Sequence, residues 1–363
     1  MQNKTTLFDI ADALGVSTGT VHRALHDHPG VSPMTKARVV QMAKSMGYRP
    51  NLAARYLSQK RKLRISVNTI KGFTSFWEEV HEGITEEARS LGMDNVTVEF
   101  RGYPRVDEGE KEAFEGALDA GVNGIIAFPS RPASLRPLIR RAARAKVPVV
   151  CVATDAPESG RLAVVSIDTR ASGSLAADLI GRLRRGKGKV AVTVNSLSIV
   201  EHFEKCKAFE STLQTYYPQM KLACVVEDDD VEEVAREKCT KLFASHPDLC
   251  GVYVTTEASM PVIRAAREAG LLDKLTIITT DLYPALVDEI RSGAVTATIH
   301  QRPVTQGRMA FRVLYQFMVE GDCPSYQLTL APHLVMRGNL DFFLQRENNG
   351  RNGDMSPLSA DLG

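Results

Sequence analysis

The sequence predicts an α/β protein in which a small helical head precedes two lobes built on parallel β-sheets. Three short helical patterns occupy the first 46 residues, and about ten apolar runs alternate with amphipathic helical patterns from residue 63 onward. Continuous apolar runs are typical of strands buried on both faces, and their alternation with helices is typical of parallel sheets. Ten strands exceed what one small sheet holds, so we expect two similar lobes.

The first helix of the head is predicted from Leu7 to Leu14, where apolar residues recur at helical spacing. Thr6 is a suitable N-cap, and Asp9 lies three residues later, as in a capping box. Gly15 suits the left-handed position that ends a helix. These signals predict a short helix that stops at a tight turn.

A second short helix, capped by Ser17, is predicted from Thr18 to Leu25, and a third begins at Ser32 and Pro33. The second helix leaves four residues on the outer side of its first two turns: Thr18, Gly19, His22 and Arg23. A helix with a small, polar N-terminal face fits a DNA major groove. The order of the three helices therefore favours DNA binding.

The charge distribution supports the same interpretation. Residues 1–64 contain 11 Lys and Arg and 3 Asp and Glu, a net charge of +8, whereas the whole chain carries +2. A basic head on an acidic body indicates a polyanionic partner for the head alone.

The head resembles the LacI/GalR family of bacterial transcriptional regulators. The resemblance rests on Phe8-Asp9-Ile10-Ala11, on the run from Gly15 to Leu25, on Val31-Ser32-Pro33 and on the run from Gly47 to Leu57. It implies a hinge helix over about residues 51–58 and a Leu57 side chain that wedges into the minor groove. It implies DNA contacts at Thr6, Ser17, Thr18, Gly19, Thr20, His22, Arg23, Ser32, Tyr48, Asn51, Ala54 and Leu57.

Two positions depart from the family pattern. Gly19 has no side chain with which to recognise a base, and His22 stands where the family usually has Ser. These departures leave the operator sequence open, while the resemblance still implies DNA binding.

Composition bounds the remaining possibilities. The 363 residues suffice for two or three domains, and no run of 18 apolar residues or apolar signal core is present. The six cysteines form no CxxC pair and are expected to be reduced core thiols in a cytoplasmic protein. We expect no cofactor and no metal.

An enzyme is disfavoured by the absence of known catalytic motifs. The sequence has no GxSxG, Walker A or HExxH pattern. The run Gly186-Lys187-Gly188 follows a predicted helix and precedes a predicted strand, the reverse of a phosphate loop, and indicates a turn.

The body is predicted over residues 63–345, after a DNA-binding domain over 1–50 and a hinge and linker over 51–62; a disordered tail is predicted over 346–363. The predicted strands are 63–68, 96–101, 124–128, 147–152, 164–167, 189–194, 223–227, 251–255, 275–279 and 295–300. The predicted helices include 76–91, 108–120, 134–145, 170–184, 232–244 and 260–269.

This body resembles the type I periplasmic-binding-protein fold, and its nearest subset takes sugars or polyols. The resemblance implies two Rossmann-like lobes that close on a small ligand. It also implies three crossings of the chain between the lobes, near residues 163–168, 299–303 and 328–334.

Seven residues are candidates for contact with the effector: Phe76, Trp77, Asp155, Lys205, Thr256, Asp281 and Gln301. Aromatic rings stack on the C–H faces of sugars, and carboxylates and amides bind the hydroxyls. Lys205 stands where the family places a ligand-binding Arg, and Thr256-Glu257 replaces a common Asn-Asp pair. Simpler alternatives remain, since Asp155 or Asp281 could cap a helix, Trp77 could belong to the core, and Asp168 could brace a crossing.

These features together predict a ligand-responsive repressor that binds a pseudo-palindromic operator as a homodimer. We expect a sugar or polyol to release it from double-stranded DNA. Co-repression, as in the purine-responsive branch of the family, is the alternative in sign. A solute-binding protein of a transport system is a weaker alternative because the head would then be unexplained.

Overall fold

The computed structural model describes residues 5–25, 29–46, 62–71, 74–91, 96–105, 108–229, 231–321 and 326–351. The chain divides into two compact units. The smaller comprises Met1–Leu63 with Tyr315–Pro324 and holds the three head helices, whereas the larger comprises Arg64–Leu314 with Ser325–Gly363 and holds both sheets.

The head contains helices α1 (Leu7–Leu14), α2 (Thr18–Leu25) and α3 (Pro33–Ser45). Each helix contributes two small or branched side chains to its core: Ile10, Ala11, Val21, Ala24, Val39 and Ala43. All three predicted helices are confirmed, and α3 begins at Pro33 with Ser32 as its N-cap, as expected.

The predicted helix termini of the head are also confirmed. Thr6 and Asp9 form a reciprocal capping box, and Gly15 adopts the left-handed conformation with φ of 64°. The Ser17 hydroxyl accepts the Thr20 amide at 3.1 Å, and the Ser32 hydroxyl accepts the Thr35 amide at 3.1 Å. Each cap satisfies a backbone N–H that has no partner within its own helix.

The first lobe is a six-stranded sheet in the order β11-β5-β4-β3-β1-β2. Its strands are β1 (Leu63–Ile70), β2 (Val96–Tyr103), β3 (Gly124–Ala127), β4 (Val149–Val152), β5 (Ala163–Ile167) and β11 (Gln327–Leu330). The helices between β1 and β5 are α4 (Thr74–Ser90), α5 (Glu110–Asp119) and α6 (Pro132–Arg144). β3 and β4 are buried throughout, which explains their unbroken apolar sequence.

The second lobe repeats this architecture in the order β12-β10-β9-β8-β6-β7. Its strands are β6 (Lys187–Val194), β7 (Gln219–Glu227), β8 (Leu249–Val254), β9 (Thr276–Thr280), β10 (Ala297–His300) and β12 (His333–Val335). Helices α8 (Val200–Tyr216), α9 (Glu232–Ser245), α10 (Met260–Glu268) and α11 (Pro284–Ser292) connect its first five strands. The two-lobe expectation is confirmed.

The chain crosses between the lobes three times. Helix α7 (Thr169–Leu183) follows β5 into the second lobe, helix α12 (Pro303–Glu320) follows β10 back to the first, and β11 leads directly to β12. The predicted crossings near 163–168, 299–303 and 328–334 are therefore confirmed. β11 and β12 themselves were not predicted as strands, because they are short and half-exposed and lack a buried apolar run.

The predicted start of the tail at residue 346 is corrected by the last helix, α13 (Leu340–Arg351). Phe343 and Leu344 pack against the core of the second lobe. Once such contacts hold the first turns, each further residue adds a hydrogen bond without a new nucleation cost. The helix therefore continues into the polar segment, and residues 352–363 lie outside the described part of the chain.

The five cysteines in the described ranges are free thiols, and burial raises the pKa of Cys151, Cys206 and Cys239 to about 12. These thiols are therefore inert side chains of the core. Within the described ranges, no helix combines the length and apolar character that a bilayer span requires.

Candidate DNA-recognition surface and ligand cleft

The outer face of α2 presents Gly19, His22 and Arg23 to solvent, whereas Thr18 and Thr20 are half-buried. The hydroxyls of Ser17 and Thr20 bond to each other at 2.9 Å. The face that the sequence predicts for base contact is therefore small, basic and exposed at its start.

Three predicted DNA-contacting residues have structural roles as N-caps. The Thr6 hydroxyl donates to Asp9 at 2.7 Å, and this bond together with the Thr6 amide lowers the pKa of the Asp9 carboxyl. Ser17 and Ser32 cap α2 and α3. Tyr48, Asn51, Ala54 and Leu57 lie outside the described residues.

The fold of the head does not require glycine at position 19. A Cβ atom added at Gly19 would meet only the Ser17 hydroxyl oxygen, at an ordinary distance of 3.8 Å. Glycine inside a helix is less favourable than alanine by up to about 1 kcal/mol. Packing within the head therefore does not explain the glycine at this position.

A cleft between the two lobes is lined on the first lobe by aromatic side chains. The rings of Phe76 and Trp77 lie edge to face with centroids 4.9 Å apart, and Trp77 packs on Phe128 at 4.7 Å. Phe76 and Trp77 lie in the first turn of α4, the helix that follows β1, and Phe128 directly follows β3. Both positions lie beyond the carboxyl ends of parallel strands, where ligands bind in such sheets.

The second lobe contributes a connected polar network. Lys205 on α8 is only 1% exposed, and its ammonium lies 2.5 Å from the Glu201 carboxylate one turn earlier. The same ammonium donates to the Gln301 side-chain oxygen at 3.0 Å and to the Thr255 carbonyl at 3.2 Å. The Gln301 amide in turn donates to the Asp281 carboxylate at 2.7 Å.

Burial and charge act in opposite directions on the two carboxyls of this network. Burial raises the pKa of Asp281 to about 7, although the charge of Lys205 opposes the shift. Burial also raises the pKa of Glu201, but the charges of Lys205 and His202 and the bond to Lys205 outweigh it, so that this pKa lies below its ordinary value. Glu201 is therefore ionised, and Asp281 titrates near neutrality.

Contacts also extend across the cleft. The Phe76 backbone N–H, in the first turn of α4, donates to the Glu257 carboxylate of the second lobe at 3.4 Å. His300, the last residue of β10, lies 3.9 Å from Glu79 of α4. Both contacts join α4 to the carboxyl-end loops of the opposite sheet.

Six of the seven predicted effector residues line this one cavity: Phe76, Trp77, Lys205, Thr256, Asp281 and Gln301. Trp77 is also 6% exposed, so it contributes to the core as well. The alternative of Asp281 as a helix cap is excluded, because Tyr283 occupies the N-cap position of α11.

Asp155 is corrected. Its carboxylate forms a bidentate ion pair with Arg161, six residues later in the same loop, and it is not among the residues that line the cavity. Asp168 caps α7 by accepting the Ala171 amide at 2.9 Å. Both carboxylates are bonded to local partners, and neither lines the cavity.

Ten further residues line the cavity and were not among the predicted effector contacts, and they include Phe128, Asn195, Glu201, His202 and Glu257. Phe128 could have been found from its place at a strand end. No sequence signal singled out Glu201 and His202, although Lys205 on the same helix was predicted from the family resemblance.

Two family models match the chain. Residues 67–322 match the periplasmic binding protein domain, and residues 6–51 match the lacI family of bacterial regulatory proteins. Catabolite control protein A of Priestia megaterium is 24% identical over 336 residues, which cover 91% of this chain and 97% of that protein. The transcriptional regulator DegA of Bacillus subtilis is 25% identical over 281 residues, 77% of this chain and 82% of DegA.

Solved structures share the fold of the body. A glucose-galactose binding protein from Geobacillus stearothermophilus superposes with a TM-score of 0.71 at 24% identity, covering 77% of this chain and 99% of that one. A solute binding protein from Burkholderia graminis in complex with D-arabinose gives 0.72 at 20% identity, covering 77% and 97%. One from Bacillus halodurans with bound myo-inositol gives 0.71 at 16% identity, covering 79% and 98%.

Proposed function

This chain belongs to the lacI family as a DNA-binding transcriptional regulator with a periplasmic-binding-protein body, and we propose that a small sugar or polyol in its cleft releases it from its operator. Members of this family regulate transcription and are not enzymes. We propose the class of the ligand, the direction of its effect on operator binding, and the residues that bind the ligand and the DNA.

The observation that carries the ligand class is the pairing of an aromatic wall with a hydrogen-bonding wall. Phe76, Trp77 and Phe128 offer ring faces from one lobe, and Asp281 and Gln301 offer acceptors and donors from the other. Sugars and polyols present apolar C–H faces together with hydroxyls that such groups bind. The glucose-galactose, D-arabinose and myo-inositol named for the similar structures support this class.

We assign a role to each segment of the chain in sequence order. Residues 1–50 bind the operator, residues 51–62 form the hinge and linker, and residues 63–345 bind the effector and a second copy of the chain. We assign base or phosphate contacts to the exposed face of α2 and to the helix caps, with Leu57 as the minor-groove wedge.

A homodimer follows from the pseudo-palindromic operators that helix-turn-helix proteins bind. The edge strands β2 and β7 support this proposal, because each leaves apolar side chains partly exposed. Phe100 on β2 is 44% exposed, and Leu222 to Val226 on β7 are all half-buried. A second copy of the chain would cover these edge strands. We place the dimer in the cytoplasm, because its DNA partner is there.

The effector is proposed to act through the position of the lobes. A ligand held by both walls favours one closure of the cleft, and the crossings carry that change to the segment that precedes β1. Such coupling is reciprocal, so operator DNA must change the affinity for the effector by the same factor.

The test measures operator binding and ligand binding on the full chain. Fluorescence anisotropy against genomic palindromes and random duplexes at several salt concentrations measures specificity, and a thermal-shift panel of sugars and polyols measures the cleft. We expect a palindrome preferred over random DNA and weakened by a stabilising ligand. A ligand that strengthens operator binding would reverse the proposed sign, and the absence of any stabilising sugar or polyol would refute the ligand class.

A further inference from the structure

The cleft holds an excess of negative charge. Three carboxyl groups line it, Glu201, Glu257 and Asp281, against a single ammonium, Lys205, so the acidic groups outnumber the ammonium even when Asp281 is protonated. His202 is the other lining residue with a basic nitrogen, and it lies beside the Glu201 carboxylate. Of the described residues that line the cavity, none is an arginine, the side chain best suited to bind a phosphate or carboxylate in bidentate fashion.

The one lysine is already used by the protein. A lysine ammonium has three N–H donors and no acceptor. Those of Lys205 have three protein acceptors, the Glu201 carboxylate at 2.5 Å, the Gln301 amide oxygen at 3.0 Å and the Thr255 carbonyl at 3.2 Å. A ligand anion could gain a donor from Lys205 only by breaking one of these bonds.

The place where an anion would otherwise bind is also taken. The first turn of α4, a helix of 17 residues, opens into the cleft with its backbone N–H groups and the positive end of its dipole. The Glu257 carboxylate, from the opposite lobe, lies there and accepts the Phe76 N–H at 3.4 Å. This internal carboxylate occupies the position that a phosphate would need.

We propose that the cleft selects an uncharged or cationic ligand and rejects phosphorylated or acidic ones, with Glu257 as the residue that determines this selectivity. The inference rests on the proposed function, because it specifies the charge of the sugar or polyol assigned to the same site. A phosphate about 5 Å from Glu257 in this half-buried site would weaken binding by about a hundredfold relative to the neutral parent. The neutral ligand keeps the aromatic wall and the amide and carboxylate partners.

The test uses matched probes on the full chain. D-Glucose, D-ribose and myo-inositol are compared with glucose 6-phosphate, ribose 5-phosphate and myo-inositol 1-phosphate by thermal shift and by the fluorescence of Trp77, the only tryptophan. We expect one or more neutral probes to bind and its phosphate ester to bind at least about a hundredfold more weakly. A phosphate ester that binds as tightly as its parent overturns the inference but leaves the proposed function intact, whereas no binding by either group overturns both.

The variant Glu257→Gln separates charge from shape. It preserves side-chain size and an oxygen that can accept the Phe76 N–H. The ratio of the affinities for the neutral probe and its phosphate ester should fall by at least about tenfold in this variant, whatever the change in the affinity for the neutral probe itself. Glu204→Gln on α8 is the matched control, because Glu204 pairs with Arg170 at 2.9 Å and does not line the cavity. Equal discrimination in Glu257→Gln and in the control would overturn the role of Glu257.

Discussion

Replacement of Gly19 by alanine should stabilise the head and weaken operator binding at the same time. Gly19 lies in the first turn of α2, its backbone is helical, and an added Cβ has only the Ser17 hydroxyl oxygen near it, at 3.8 Å. The methyl group therefore costs nothing in packing, while alanine gains about 0.5–1 kcal/mol in helix propensity. If the Gly19 backbone approaches a base pair or phosphate, the same methyl group would separate the two surfaces.

Gly15 provides the matched control for this change. It lies four residues earlier, and an added Cβ would meet nothing within 4 Å, but its φ is +64°. Alanine in that conformation costs about 1–2 kcal/mol. The same substitution at two open positions should therefore change stability in opposite directions, because only the backbone conformation differs.

Hydrogen exchange of the α1 and α3 amides in the full chain measures the opening of the head. Gly19→Ala should raise protection by roughly two- to fivefold, and Gly15→Ala should lower it by at least about fivefold. Operator affinity of Gly19→Ala should fall by about tenfold, with binding to random DNA unchanged. Reduced protection in Gly19→Ala would refute the packing argument, and unchanged operator affinity would refute the close approach to DNA.

Three further predictions concern the cleft and the hinge. Lys205→Met should lower the free energy of unfolding in urea by about 3–5 kcal/mol, because it leaves the Glu201 carboxylate buried and unpaired. Adding Glu201→Gln to the same chain should recover most of this loss. If the double variant shows no recovery, the loss arises from packing. The pKa of Asp281 is raised to about 7 from the ordinary 3.8, so between these pH values the folded state holds a proton that the unfolded state releases. The free energy of unfolding should therefore fall as pH rises from about 4 to 7, by up to about 1.4 kcal/mol per pH unit. Asp281→Asn should remove that slope, and a slope that survives in the variant would assign it to another group. Leu57→Ala should weaken operator binding more than binding to random DNA. If fluorescence anisotropy shows equal losses of the two affinities, Leu57 is not the minor-groove wedge.

Local signals predicted the head well because its structure is local. Thr6, Gly15 and Ser32 act on backbone groups within four residues, so their roles follow from spacing alone. The central strands β3, β4 and β9 were found because each is buried over its whole length. β11 and β12 were missed because their position at a crossing, and not their composition, makes them strands.

The cleft was predictable only in part, and two aspartates show why. Asp155 and Asp281 both follow a strand, so the local pattern treats them alike. Arg161 lies in the loop that follows Asp155 and pairs with it, whereas Asp281 meets Gln301 from the next strand. The difference arises from partners that sequence spacing does not reveal.

The missed helix α8 has a related cause. Its buried face includes Glu201, His202 and Lys205 together with Phe209 and Leu213. Polar residues interrupt the apolar periodicity that predicts a helix, even though they face inward. The polar residues that line the cleft therefore also make this helix difficult to predict from the sequence.

The same network connects the proposed ligand site to a crossing of the chain. Gln301 bonds to Lys205 and Asp281 through its side chain, and it lies between β10 of the second lobe and α12, which returns to the first. Its carbonyl accepts the Gln306 side chain at 2.8 Å, inside the first turns of α12. A ligand hydroxyl that competes for Asp281 or Gln301 therefore acts on the start of the crossing helix, within five residues of the cleft. We expect changes at Gln306 to alter the coupling between effector and operator while leaving the affinity for the effector alone nearly unchanged.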